Sequence, residues 1–504
     1  MGMQTDLNIL IALLKQHHPD TDTRPMERAF QYAQDAHEGQ KRFSGEPYFH
    51  HVFATAVRLA EWRMPQDIVI AGILHDTHED AGKSLEEISN LFSEEVASMV
   101  GRVTKLGKVQ YRGMERYAEN LRKMFLAMAE DVRVIFIKFA DRLNNLEDLS
   151  NVPDTAKRMR IALESLEIYA AIANRLGMGI IRKQLEDISF KYIYPKEHEW
   201  VLGLVKEQYV AIEPYVEKIK NVILDDLRLE GINVLDMHAR TKGLYSLYKK
   251  LLKHDRDFTQ IYDIVACRVI VPNVSDCYNV LGVIHNRWKP LKGRIKDYIA
   301  QPKPNGYQSL HTTVFCDDGQ IVEFQIRTPE MHEQSQYGLA AHWFYKEKGG
   351  ASPFEKKYAV WLKELSALQK EMTDKTKFLE TLESLKIDIF QNRIFVFTPQ
   401  GDVIDLPDGA TPVDFAYAIH TDLGNTCTAA KVNGQIAKLD ASLISNDIVE
   451  IITDKKRKSP SSAWLKFVKT RQARGNIREQ IRKTRFGDII LRVATTKING
   501  KKIH

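Results

Sequence analysis

The chain has 504 residues, 44% hydrophobic and 27% charged, an ordinary globular composition that leaves room for three or four domains of roughly 100–200 residues each. No apolar run approaches the ~20 residues that cross a bilayer, and Asp6 rather than a basic flank precedes Leu7–Leu14, so a soluble cytoplasmic protein without a membrane partner is expected. The net charge of +6 hides an asymmetry, because Lys455–His504 carries sixteen bases against two acids and leaves 56 bases and 64 acids in the first 454 residues.

In chain order, residues 1–195 read as almost entirely helical. Apolar residues recur at helical spacing through Ala54–Trp62, Ile68–His75, Leu121–Met128 and Met159–Ala173, with breakers at Gly45–Pro47 and Gly82. From about 230 to 345, β-branched runs at Ile264–Val271, Thr312–Phe315 and Val322–Ile326 alternate with helical stretches at Leu244–Lys253 and Cys277–Trp288, which predicts a mixed α/β domain. Residues 353–386 return to a Lys/Glu-rich helical connector. Within 388–453, Ile394–Thr398 and Val403–Leu406 read as a hairpin, Thr411-Pro412-Val413-Asp414 as a capped helix start, and Asn433-Gly434 as a tight hairpin turn. Cys267, Cys277, Cys316 and Cys427 include no CxxC pair and are expected as buried small apolar residues.

The first chemical constellation is His75-Asp76 inside an apolar helix, followed by Glu79-Asp80. Helical spacing sets His75 over Glu79 and Asp76 over Asp80, and such groups are costly to bury without partners. With His51 upstream and Asp141 at the end of the apolar segment Val132–Ala140, two imidazoles and two carboxylates suit Mn²⁺, Fe²⁺ or a similar ion with open water positions. Helix-end acids beside a core histidine are the plainer alternative.

The flanking residues are more specific. His37-Glu38-Gly39-Gln40, Arg42–Tyr48, His75–Asp80, Val103–Leu106 and Lys138–Asn145 resemble the HD-type hydrolase domain of the RelA/SpoT homologue family, whose members make and destroy the alarmones ppGpp and pppGpp. The resemblance implies that His51, His75, Asp76 and Asp141 hold Mn²⁺ and that Glu79 and Asp80 position or deprotonate the attacking water. It also places Arg42 at the nucleotide phosphates and Ser44 and Asn145 at the substrate. Three positions depart from the family pattern: Val52 for a proline, Asn144 for a histidine, and Asp148 for a threonine, where the carboxylate would repel phosphate.

In the α/β segment, Arg240, Lys242, Lys249, Lys250, Arg268, Arg294, Lys296 and Lys303 lie among Tyr245, Tyr248, Tyr298 and Tyr307, which suits polyphosphate and nucleobases, or equally a solvated basic surface. Asp263 and Glu323 could converge on Mg²⁺. Tyr262–Ile264, Gly293–Ile299, Pro302–Thr313, Glu323–Thr328 and Ala340–Trp343 resemble the same family's synthetase domain. The implied reaction moves the β,γ-pyrophosphate of ATP to the 3′-hydroxyl of GDP or GTP. By that resemblance Arg240 and Arg268 sandwich adenine, Tyr307 stacks on guanine, and Asp263 and Glu323 bind Mg²⁺, with Glu323 also a base for the 3′-hydroxyl. Lys242, Lys250, Lys296, Lys303 and His311 neutralise phosphates, and Ser246, Arg294, Asn305 and Gln308 complete the substrate contacts. Arg294-Ile295-Lys296-Asp297 matches the basic version of a motif carried by bifunctional members.

Phe395–Pro399, Gly409–Pro412, Asp414–Thr421 and Ala430–Gly434 resemble a β-grasp TGS domain, with His420 the matching contact for the 3′ end of uncharged tRNA and a helix-end histidine its alternative. The basic segment after Lys455 would then follow transfer or ribosomal RNA, or stand as a solvated helix. Gly82-Lys83-Ser84 is no P-loop, since Thr77 occupies the place of its first glycine. The expected architecture is a helical HD-type hydrolase domain (1–195), an α/β nucleotidyltransferase-like synthetase domain (196–350), a helical connector (351–387), a TGS domain (388–454) and a basic start of a further helical region (455–504). The chain reads as a long bifunctional member without the far C-terminal zinc-finger-like and ACT domains. Its rivals are a hydrolase with a weak or ribosome-dependent synthetase, and a tRNA- or ribosome-binding sensor with vestigial sites.

Overall fold

The computed structural model describes residues 2–107, 124, 127–128, 130–258, 261, 265–303, 305–317, 319–341, 393–400, 403–444, 447–454, 459–470 and 472–482. Asp263, the 351–387 connector and Arg471 therefore lie outside the described residues, as do Lys455–Lys458 and the end of the chain from 483 onward. The chain divides into two compact units, Met1–Thr373 and Asp374–His504. Among the described residues no helix is long and apolar enough to cross a membrane.

The first half of unit one is a layered stack of helices. Helix α1 (Arg24–Ala36) has Pro25 in its first turn, where a missing N–H costs nothing, and buries Met26, Ala29, Phe30 and Ala33 at helical spacing. Helix α2 (Phe49–Glu61) buries His51, Val52, Thr55, Ala56 and Leu59 along one stripe. Helix α3 (Gln66–Ile73) is buried from Ile68 to its end and packs on α2. Gly72 permits that approach, because a Cβ there would run into the Leu59 side chain. Helix α4 (Arg133–Glu147) crosses both, with Phe136, Phe139, Ala140 and Leu143 fully buried.

Beyond α4 the helical rod 155–175 contains a π-helical turn at Ser165–Tyr169. It brings the Tyr169 ring beneath the Arg142 guanidinium, 4.3 Å from centroid to Cζ, and its hydroxyl to Arg142 Nη2. Helix α5 (Gly179–Ile193) packs against this turn, against α4 and against the second half of the unit. Helix α6 (Pro195–Leu229) leads into it.

There the five-stranded sheet runs in the order β1-β2-β5-β4-β3, with β1 Asp236–Thr241, β2 Val265–Ile270, β3 Lys296–Asp297, β4 Leu310–Phe315 and β5 Ile321–Arg327. Only β2 and β5 pair in parallel. Alternation along the strands sorts the side chains. Cys267 and Val269 of β2, Val322, Phe324 and Ile326 of β5 and Val314 of β4 join Ile219, Ile223 and Leu227 of α6 and Cys277, Val280 and Ile284 of α8 (Val274–Arg287) in one core. Arg268, His311, Glu323, Gln325 and Arg327 alternate to the other side. On that side Arg327 donates to Ser335 of α9 (Pro329–Tyr337), while α7 (Leu244–Lys253) packs on α5 and α6.

Unit two contains the hairpin β6–β7 (Arg393–Phe397, Val403–Pro407) and the sheet β10-β8-β9 (Val449–Thr453, Cys427–Val432, Gln435–Ala437). Asn433 and Gly434 both have positive φ, 53° and 80°, which is the turn that Asn-Gly favours. Helix α10 (Pro412–Ile419) starts with a capping box between Thr411 and Asp414. Trp464, Val468, Ala473 and Ile477 share a core with Val413, Ala416, Tyr417 and Cys427. Residues of the segment expected as a basic region from 455 thus pack on the core of the stretch expected at 388–454. All four cysteines are buried and unbridged.

Candidate active sites

The first site lies where α2, the turn after α3, and α4 meet. His51 and His75 are 3% and 1% exposed and Asp141 7%. One ligand atom from each of His51, His75 and Asp141 lies within 4.8 Å of the others, the spacing a metal needs. Asp76 stands beside both rings, its Oδ2 3.4 Å from His51 Nε2 and 3.2 Å from His75 Nε2, while His51 Nε2 also lies 3.4 Å from Asp141 Oδ1.

His75 shows the fit to a metal most directly. Its Nδ1 donates to the Gly72 carbonyl at 2.8 Å, so Nε2 is the nitrogen turned to the cluster, buried and 3.2 Å from Asp76 Oδ2. Two imidazole nitrogens and an anionic oxygen converging at this spacing are a ligand set for a transition-metal ion. Without metal, burial disfavours a charged His51, but hydrogen bonding to Asp141 and Asp76 outweighs it and raises the ring to about 9. Asp141 and Asp76 are held well below the usual carboxylate range against their burial, Asp141 chiefly by Lys138 and Asp76 chiefly by His75.

Asp80 is exposed and accepts the Tyr48 hydroxyl at 2.9 Å, which also reaches Asp76 at 2.8 Å. Glu79 is exposed at the same edge, on the short helix Thr77–Asp80. Asn145 donates to Asp141 Oδ1. Ser44 sits exposed in the turn closed by Arg42 and Glu46, where its Oγ accepts from Glu46 N. Arg42 does not reach outward. Its Nη1 donates to Asn144 Oδ1 (2.6 Å), its Nη2 to Asn145 Oδ1 (2.7 Å), and its Nε lies 3.2 Å from Asp148 Oδ2.

Sequence reasoning gave no role to Tyr48 or Lys138, although Lys138 stands one helical turn before Asp141 and donates to it at 2.8 Å. That i, i+3 spacing was the available signal.

The second site is the polar face of the five-stranded sheet. His311 Nδ1 lies 2.9 Å from Glu323 Oε1, and Gln325 Nε2 donates to the same oxygen at 3.1 Å. Tyr307 meets His311 Nε2 at 2.8 Å and accepts from the wholly buried Arg327 at 2.7 Å. Lys303 Nζ sits 4.5 Å from the Tyr298 ring centre and 5.0 Å from that of Tyr307.

Positive charge dominates this face. Burial, then Lys296 and Arg182, bring Lys303 down to about 8, and burial, then Arg327 and Arg240, bring Arg268 down to about 9. Burial pushes the Tyr307 hydroxyl up, yet His311 and Arg327 together bring it to about 7. A polyanion would relieve these repulsions.

Of the expected adenine pair, Arg240 is exposed on β1, whereas Arg268 is 8% exposed and donates to Gln325 at 3.4 Å. Arg294 and Lys296 are exposed, Lys242 and Lys250 half-buried on either side of the start of α7 and its body. Asn305 donates to the Asn174 carbonyl (3.1 Å) and Gln308 to that of Ile299 (3.2 Å). Ser246 is turned to Glu186 of α5 at 3.2 Å, as is Lys249 at 3.1 Å. Sequence reasoning missed Arg327 and Glu186, whose site partners Tyr307, Ser246 and Lys249 lie on other elements. In unit two, His420 is exposed, and its Nδ1 accepts from Asp422 N at 3.2 Å as the cap of Thr421–Thr426.

Comparison with known proteins bears on both sites. Residues 29–179 match the family model described as HD domain, 239–350 the region found in RelA / SpoT proteins, and 394–453 the TGS domain. The chain is 45% identical over 484 residues to a guanosine-3′,5′-bis(diphosphate) 3′-pyrophosphohydrolase of Aquifex aeolicus, covering 96% of this chain and 67% of that one. It is 42% identical over 481 residues to the bifunctional (p)ppGpp synthase/hydrolase SpoT of Escherichia coli K12, covering 95% and 68%. To a GTP pyrophosphokinase of Myxococcus xanthus it is 45% identical over 470 residues, covering 92% and 61%, so the chain spans about three fifths to two thirds of these relatives' lengths.

Proposed function

Because the chain belongs to the RelA/SpoT family, we propose that it both hydrolyses (p)ppGpp to GDP or GTP plus pyrophosphate and makes (p)ppGpp from ATP and GDP or GTP. The observation that carries the hydrolase half is the convergence of buried ligand atoms of His51, His75 and Asp141 within 4.8 Å of one another.

His51, His75 and Asp141 would hold Mn²⁺, with Asp76 as the fourth ligand beside the two rings. Mn²⁺ supplies an acidified water and polarises phosphorus. Asp80 and Glu79, exposed at the edge of the cluster, take the proton of the attacking water, and Tyr48 orients Asp80. Ser44 and Asn145 lie at the substrate side. Water adds at the phosphorus bonded to the 3′-oxygen, that P–O bond breaks, and the proton taken from the water passes to the departing oxygen, giving a free 3′-hydroxyl and pyrophosphate.

In the synthetase half, Lys303, His311, Lys296, Lys250, Lys242 and Arg294 neutralise the phosphates of the two nucleotides. Asn305, Gln308 and Ser246 complete the substrate contacts, Tyr307 offers its ring to guanine, and Arg240 and Arg268 flank adenine. Glu323, fixed by His311 and Gln325, takes the 3′-hydroxyl proton as that oxygen attacks the β-phosphorus of ATP and AMP departs. Mg²⁺ falls to Glu323 with Asp263. Uncharged tRNA and the ribosome are the proposed partners of unit two, with His420 exposed for such a contact. The setting is the cytoplasm.

A second reading keeps the hydrolase and makes the synthetase weak in this conformation. The bond that turns Ser246 toward Glu186 favours it. One experiment separates the readings. A His75→Ala/Asp76→Ala protein is given ATP, GDP and Mg²⁺, and products are resolved by anion exchange. A ppGpp peak supports the bifunctional reading. A peak that needs ribosomes with uncharged tRNA supports the second, and wild type that leaves ppGpp intact with Mn²⁺ overturns the hydrolase.

A further inference from the structure

Asn144 and Asp148 are two of the positions at which the sequence departs from its family, and the structure ties both to Arg42. Resting on the hydrolase reading, we infer that Arg42, acting through Asn144, fixes the tautomer of His51 and so presents its Nε2 lone pair to the metal.

The argument follows the hydrogens. A guanidinium donates and never accepts. Arg42 Nη1 lies 2.6 Å from one terminal atom of the Asn144 side chain, so that atom is the amide oxygen. The same oxygen lies 2.6 Å from His51 Nδ1, and two lone pairs at that distance would repel, so Nδ1 carries the hydrogen. The contact from Arg42 Nη1 to His51 Nδ1, at 3.4 Å, is the long edge of this triangle and the weakest of the three. With Nδ1 protonated and engaged, Nε2 is the nitrogen left to face the cluster, 3.4 Å from oxygens of both Asp76 and Asp141, and it is the one a metal would take. His75 reaches the same state by another route, through the Gly72 carbonyl.

Asp148 and Asn145 complete the arrangement. Asp148 engages Arg42 Nε and Asn145 accepts from Nη2, so each guanidinium nitrogen has a partner on α4 or at its C-terminal end. The carboxylate that looked hostile to phosphate is neutralised within the protein. Arg42 and Asn144 are therefore positioning residues for a metal ligand, and the effect of Arg42 on substrate is indirect.

The test is calorimetric titration of Mn²⁺ into the chelator-treated full chain, with melting curves to verify folding. Losing the partner that orients a ligand histidine weakens metal binding about 10–100-fold, and that is the expected result for Asn144→Leu. Asn144→Asp keeps an oxygen in place and should stay within about threefold of wild type or tighten. Arg42→Met should weaken Mn²⁺ as well, and the double variant Arg42→Met/Asn144→Leu should be no weaker than Asn144→Leu alone, because both act through one hydrogen bond. In ppGpp hydrolysis at subsaturating Mn²⁺, Arg42→Met should lower kcat and leave KM nearly unchanged. Wild-type Mn²⁺ affinity in Asn144→Leu overturns the inference, as does equal weakness of Asn144→Asp and Asn144→Leu. A wild type that binds Mn²⁺ but spares ppGpp fails the hydrolase reading alone, and one that binds no Mn²⁺ overturns both.

Discussion

Lys303 has a pH window written into its surroundings. Burial, Lys296 and Arg182 lower its ammonium to about 8, so the charged form prevails below that pH and is lost above it. Polyphosphate favours the charged form. The KM for nucleotide in the synthetase reaction is therefore expected to climb as pH passes from about 7 to about 9. Replacing Lys303 by Met should raise KM about tenfold at pH 7 and flatten that climb, which steady-state kinetics across the range will show. At this scale the sequence was informative where a residue's meaning is local. His75-Asp76 in an apolar helix and the lysines among tyrosines could be read as candidate sites without coordinates. Arg327 could not, because its partner Tyr307 lies on another element and nothing in the text of β5 marks Arg327 as buried. Asn144 and Asp148 looked like separate oddities until Arg42, about a hundred residues away, joined them.

Among the elements, α3 depends on the absence of a side chain at Gly72. A Cβ there would collide with Leu59, so Gly72→Ala should destabilise unit one by about 1–3 kcal/mol in urea titration. It should also weaken Mn²⁺ binding, since the Gly72 carbonyl orients His75. In unit two the buried Asp414 carboxylate accepts from Thr411 N and Oγ1, Lys469 N, and Thr470 N and Oγ1. Asp414→Ala leaves those donors unpaired and should cost about 3 kcal/mol or more, read as lost hydrogen-exchange protection in both α10 and 469–477. The helix start at Thr411 was legible, yet the partner segment was not. Trp464 and Val468 belong to a 3-10 turn and its exit, which show no 3.6-residue period, and the surrounding basic residues pointed toward solvent. Strand β1 escaped for a related reason. Its sequence DMHART buries only Met237, as an edge strand can afford.

Across unit one, α5 touches the halves that hold the two candidate sites. It packs on α4, which carries Asp141, and its Glu186 and Asp187 hold Ser246, Lys249 and the backbone of Tyr245 on α7. Running both reactions together would only consume ATP, so the sites are expected to be coupled through this helix. Glu186→Gln should loosen Ser246 and raise synthesis about fivefold while lowering ppGpp hydrolysis, measured on one preparation with both assays. Unchanged hydrolysis in the presence of saturating synthetase substrates would show the two sites to be independent.

The joint between the halves has a consequence for how such a chain can be rebuilt. Side chains at Gly177, Gly179 or Gly338 would strike main-chain atoms of the opposite half: Asn305 and Gly338, Ser335, and Leu176–Met178 respectively. The Leu339 amide also donates to the Leu176 carbonyl at 2.9 Å. Bare backbone is touching bare backbone there, and two of these glycines, Gly177 and Gly338, have positive φ. The two halves of unit one are consequently not interchangeable cassettes. A chimera that replaces the second half with that of another chain will dock only if the graft brings its own glycine at the matching point, so the two halves fit as a matched pair, like lock parts cut from one blank.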